Sequence, residues 1–124
     1  MGSVVTNRTI MMLLDGEIIM PNGESKNWVR FLTTLEAFYI LHGNWPTVIH
    51  VYPFFITELQ EKLSKKDFRR LRSRIKLEPD KDNPFLAFDA VGNRFDYARE
   101  ICPNGHPSVR AINWLNIKQP TYYD

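Results

Sequence analysis

The chain has 124 residues, is 44% hydrophobic and 24% charged, and carries a net charge of +2. Its length is expected to give one domain spanning 1–124 with its own hydrophobic core, and 13% aromatics argue against disorder. A single cysteine, Cys102, excludes an internal disulfide, so a reducing, cytoplasmic setting is the simplest expectation. No apolar run approaches the ~20 residues of a membrane span, and the N-terminus lacks the charged-then-apolar layout of a secretory signal. No membrane partner is expected.

Thr9–Leu14 and Ile18–Met20 are two short apolar runs flanking Asp15-Gly16, a tight-turn dipeptide, and predict a first hairpin. Their continuous apolar character points to burial on both faces for at least one strand. Ser25, beside Glu24, is a good helix N-cap. The helix is expected over Lys26–His42, with Trp28, Phe31, Leu32, Leu35, Phe38, Tyr39 and His42 on one face. Gly43-Asn44 and then Pro46 stop it.

Thr47–Tyr52 is β-branched and aromatic between two prolines, and reads as a strand. Pro53 opens a second helix, at a position where its missing N–H costs nothing. That helix points Phe55, Ile56, Leu59 and Leu63 inward and Glu58, Glu61 and Lys62 outward. Ser64-x-x-Asp67 resembles a capping box and starts a third helix.

This third helix lies in the most charged stretch of the chain. Ser64–Lys76 contains seven of the sixteen Lys and Arg residues and one acid, Asp67. The remainder holds nine bases and thirteen acids, so the modest net charge hides a polarised molecule. Phe68, Leu71 and Ile75 share one edge of the helix. Lys65, Lys66, Arg69, Arg70 and Arg74 sweep the opposite half, with Arg72 at the border.

A strand is expected over Ile75–Glu78, then a loop from Asp80 to Pro84. Phe85–Ala90 and Arg94–Glu100 read as a hairpin around Gly92-Asn93. Two registers compete. A two-residue turn sets Asp89 against Asp96, a repulsive pair that would call for a cation or shared-proton chemistry. A four-residue loop over Ala90–Asn93 sets Asp89 against Arg94 and removes the conflict, leaving Asp96, Glu100 and Arg94 as a surface charge lattice. The favoured register is the second. Pro103–Pro107 is a loop, Ser108–Asn116 a short helix, and Lys118–Asp124 an extended tail.

These elements predict an α+β domain, a small mixed or antiparallel sheet packed against two or three helices. From Ser25 onward the order helix, strand, helix, helix, strand, strand also matches a winged helix-turn-helix with extra strands. In that alternative the basic helix would be the recognition helix.

The leading functional expectation is a small accessory or regulatory protein that binds a polyanion, nucleic-acid phosphate first, through Lys65, Lys66, Arg69, Arg70 and Arg74. Nothing in the sequence specifies base reading, so phosphate contacts should dominate. A second reading is a non-catalytic protein-interaction module or homodimer. There the basic helix is a solvated face, and Trp45, Phe54, Trp114, Tyr122 and Tyr123 supply contact surface. A small enzyme is the third. His42, His50 and His106 show no metal-binding spacing, and Cys102 with His106 is too little for zinc. Cys102 has only Arg99 nearby to activate it. Phosphate-loop, dinucleotide and hydrolase-elbow motifs are absent. The sequence therefore implies no cofactor and no metal, and names no catalytic residue.

Overall fold

In the computed structural model the described residues are 12–14, 17–19, 26–103 and 109–120. The Asp15-Gly16 turn, the Ser25 cap, His106 and its loop, Tyr122 and Tyr123 lie outside them, as does the burial expected for the first two strands. Strands β1 (Met12–Leu14) and β2 (Glu17–Ile19) pair antiparallel, with Met12 opposite Ile19 and Leu14 opposite Glu17.

Helix α1 covers Lys26–His42, the predicted span. Gly43 ends it at φ 78, where its N–H donates to the Tyr39 carbonyl at 2.8 Å. The burial of α1 differs from the one-sided pattern expected. Every residue from Phe31 to Leu35, and on to Phe38, is buried, including Thr33, Thr34 and Glu36. Two of these polar residues have partners in the fold, one within α1 and one far along the chain. Thr34 Oγ1 donates to the Arg30 carbonyl at 2.7 Å, and Glu36 Oε2 lies 3.2 Å from Arg110 Nε.

Strands β3 (Val48–Val51), β4 (Lys76–Pro79), β5 (Leu86–Phe88) and β6 (Arg94–Asp96) form a mixed sheet in the order β4-β3-β5-β6. The β3 and β4 strands are parallel, joined by a crossover holding α2 (Pro53–Lys62) and α3 (Lys65–Arg74). The other two pairings are antiparallel. The α+β architecture is therefore as expected. The winged alternative is not followed: the strand after the basic helix returns parallel to β3, and the hairpin β5–β6 lies on the far side of β3.

Register puts Leu77, Ile49, Ala87 and Phe95 in one row across the sheet. This row faces the helices, and its residues are buried or packed against the core. Helix α4 (Val109–Leu115) packs against α1 and α3, burying Ala111 and Leu115.

The second hairpin follows neither register considered from the sequence. Leu86, Ala87 and Phe88 pair with Asp96, Phe95 and Arg94. Extending that register, Asp89 N–H donates to the Asn93 carbonyl at 3.1 Å, and the turn is Ala90-Val91-Gly92. Gly92 takes φ 95, a region that favours glycine, as a three-residue hairpin loop requires. Asp89 faces neither Asp96 nor Arg94; it organises the turn. Its Oδ1 accepts from the N–H groups of Val91 and Asn93, and its Oδ2 from the side-chain amides of Asn93 and Asn44.

Asp96 is not part of an open charge lattice either, being only 2% exposed. Arg99 Nη1 lies 2.9 Å from its Oδ2, and Arg94 Nη2 lies 3.9 Å away. The Asp96 N–H donates to Glu100 Oε2 at 3.0 Å, so the acid orders the turn that follows β6.

Two measurements check this packing. Phe31 is fully buried, with its ring 5.6 Å from Trp28 and 5.7 Å from Phe55. Phe31→Ala should cost ~3–5 kcal/mol of stability in urea denaturation. Partial burial alone would raise the Asp89 pKa, but the donors from Asn93, Asn44 and Val91 outweigh it and bring it from 3.8 to about 2. A folded-state pKa below the unfolded value means this stabilisation is present above the unfolded pKa and is lost as pH falls toward 2. The acid limb of the urea midpoint should therefore flatten in Asp89→Asn.

Candidate functional site

Helix α3 starts where Ser64 leaves the helical region at φ −64, ψ 159, and its Oγ accepts from the Asp67 N–H at 3.0 Å. The expected capping box is only half formed. The Asp67 carboxylate turns outward from the cap: its Oδ2 accepts from the Lys118 N–H at 3.3 Å, and its Oδ1 lies 4.0 Å from Arg70 Nη1. The helix is fixed to the core by Phe68, Leu71 and Ile75, all buried, as the periodicity predicted.

The opposite side holds the cations. Lys65, Lys66, Arg69 and Arg74 are exposed, and Arg70 is half-buried. Arg70 Nη1 donates to the Asn116 carbonyl at 3.4 Å. Arg72 sits over the Phe68 ring, 5.7 Å from its centroid, which covers the apolar edge with a charge. Lys65 with Arg69, Lys66 with Arg70 and Arg70 with Arg74 are like-charged i,i+4 neighbours. Each such pair costs ~0.2–0.5 kcal/mol in a helix, and Asp67 is the helix's one acid.

Three of the five cations, Lys66, Arg69 and Arg70, line two adjoining hollows. Lys66 and Arg70 turn toward a groove of about 680 Å³ between the start of α3 and the end of α4, which Lys62 and Lys118 also line. Lys66, Arg69, Arg70 and Arg72 line a shallower hollow on the outer flank. Lys65 and Arg74 lie beside these, at the two ends of the helix. Sequence reasoning missed Lys62 and Lys118 as neighbours of the basic face. Lys62 stands four residues before Lys66, but on a different helix. Only the fold brings Lys118 close.

The other candidates do not converge. His50 Nδ1 lies 2.8 Å from Asp80 Oδ2, and His42 Nε2 lies 3.0 Å from the Arg94 carbonyl oxygen. The N–H of Asn83, the His50 side chain and the N–H of Asp82 hold Asp80 below the usual carboxylate range. Burial pushes the Cys102 thiol up, which lowers its thiolate fraction near neutral pH. Among the described residues no cluster of His, Cys, Asp or Glu is placed to hold a metal ion, and no helix is long and apolar enough to cross a membrane.

The described aromatics expected at a contact surface are engaged with one another to different degrees. Trp45 stacks between Tyr39 and Trp114 at 4.4 and 4.7 Å, and all three rings are half-buried. Phe54 is exposed and stacks on Tyr52.

No protein-family model, curated protein or solved structure was found to match the chain.

The cap offers a direct check on how the basic helix is held. Ser64→Ala removes the Oγ acceptor and should cost about 1 kcal/mol in urea denaturation. Ser64→Asp, which restores an acceptor, should recover most of it.

Proposed function

We propose that the protein is a small accessory or regulatory factor that binds a polyanion, nucleic-acid phosphate above all, through Lys65, Lys66, Arg69, Arg70 and Arg74. The observation that carries this reading is the construction of α3. Its inner edge is locked by Phe68, Leu71 and Ile75, so its cations are held on a rigid surface rather than a floppy tail. Fixed cations lose less freedom on binding, and each one that meets a phosphate releases condensed counterions. The three like-charged i,i+4 pairs support the same reading, because they weaken the isolated helix and would be relieved by an anion.

Phosphate contact of this kind is largely independent of sequence. The protein would thus hold or position a nucleic acid for another component rather than choose a site on it.

Fluorescence anisotropy on a labelled oligonucleotide across a salt series tests the reading. Affinity should fall linearly on a log–log plot, with a slope of about −0.9 per phosphate engaged on a duplex and about −0.7 on a single strand. The combined Lys65→Glu, Arg69→Glu and Arg74→Glu variant should lose this binding. Arg69→Glu alone replaces a repulsive neighbour of Lys65 with an attractive one, so it should keep or raise the urea midpoint while weakening binding. Equal binding by the triple variant and the parent would leave Lys65, Arg69 and Arg74 as solvated surface and overturn their part in the reading.

A further inference from the structure

We infer that the groove between α3 and the end of α4 seats a single strand of nucleic acid, with phosphates along its cationic rim and bases over its apolar floor. This inference rests on the phosphate-binding reading of α3 and gives it a substrate class.

The lining of the groove is two-sided in chemistry. The exposed rim carries Lys62, Lys66 and Lys118, with Arg70 half-buried among them. Beneath the rim, Leu63 and Ile117 are buried and Ile112 is packed against the core. Asn113 and Asn116, each with a side-chain amide, are exposed residues that line the α4 side. Each amide offers both donors and acceptors, the complement of a base edge. A single strand has the same division, with charge along one edge and flat apolar faces with polar edges along the other. A duplex hides those faces in its own stack. The volume, about 680 Å³, is within the range of small-ligand sites and suits a short stretch of strand.

The surroundings of α3 point the same way. A major groove about 12 Å wide accepts one helix of roughly 10–12 Å diameter. The chain after α4 is laced to the side of α3 at two points, Arg70 to the Asn116 carbonyl and Lys118 N–H to Asp67. A duplex that admitted α3 would have to admit this segment too before it could reach Lys66 and Arg70. A single strand meets no such obstacle. Asp67 is the acid in the groove, and both its oxygens face positive or N–H groups of the protein.

Anisotropy with labelled oligo-uridylate, oligo-thymidylate, an abasic strand of the same charge and a duplex of the same length separates the outcomes. The parent should bind one or both base-bearing single strands about tenfold more tightly than the duplex or the abasic strand. The uridylate and thymidylate arms tell RNA from DNA. Lys118→Glu, whose side chain is exposed, should lower single-strand affinity about tenfold while changing duplex affinity far less. Arg69→Glu with Arg74→Glu, on the outer flank, should weaken both probes alike. Duplex binding as tight as single-strand binding, with Lys118→Glu silent, would overturn the groove and leave the phosphate-binding face of α3 standing. Absence of binding to every probe would overturn both.

Discussion

The constraint on which the structure depends is the enclosure of α1. Eight consecutive residues, from Phe31 to Phe38, are buried, so one helix must be covered around its whole circumference. The sheet covers one side through β5 and β6, and α4 packs against another. The closure by α4 is reinforced where it meets α1: Arg110 pairs with buried Glu36 and lies over the Tyr39 ring, and Trp114 continues the stack of Tyr39 and Trp45. Glu36 is buried and Arg110 half-exposed, so the carboxylate is compensated by a charge that keeps part of its hydration. Covering α1 in this way delivers the segment after α4 to the flank of α3. The basic groove is a consequence of closing the core.

The parallel pairing of β3 and β4 supplies the other wall. A parallel neighbour can be reached only by a crossover, and here the crossover is α2 followed by α3. Both helices must lie on the core side of the sheet to bury Phe55, Leu59 and Leu71. That requirement sets which edge of α3 faces inward. The cations then have no choice but the outer half, and those nearest the start of the helix meet the incoming segment from α4. Lys66 and Arg70 thus line the deeper groove, whereas Arg69 lines only the shallower hollow and Arg74 lies outside both. The distinction has electrostatic content, because a cleft between low-dielectric walls focuses the field of its charges.

Much of this was legible in the sequence wherever the signal was local. The bounds of α1, the proline opening of α2, the Ser64 cap and the Phe68, Leu71, Ile75 edge all follow from spacing and capping chemistry within a few residues. What was not legible depended on distant partners. The hydrophobic pattern gave α1 one apolar face, yet Glu36 is buried as well, and the partner beside it is Arg110, brought in from α4. Asp89 looked like an electrostatic problem because its charge was weighed against cross-strand neighbours. In the structure its oxygens are filled within the turn and by Asn44, so the loop shortened to three residues around Gly92. The winged alternative failed for the same reason. The order of elements was right, but strand direction is set by which edges meet in three dimensions.

Distance along the chain and distance in space also differ at the basic face. Clustering along the chain identified five cations, and clustering in space regroups them with Lys62 and Lys118. A helix considered alone offers charges on a cylinder, a shape suited to lying along or within a duplex groove. The folded domain instead places part of that cylinder against a second wall with an apolar base of Leu63 and Ile117. Apolar surface at the bottom of a cationic cleft adds nothing to the attraction for phosphate. It contributes only when the ligand brings a flat, weakly hydrated face beside its charge, so that burying the face and neutralising the charge happen in one step. An unpaired strand carries charge and exposed bases together, whereas a paired one hides its bases in its own stack.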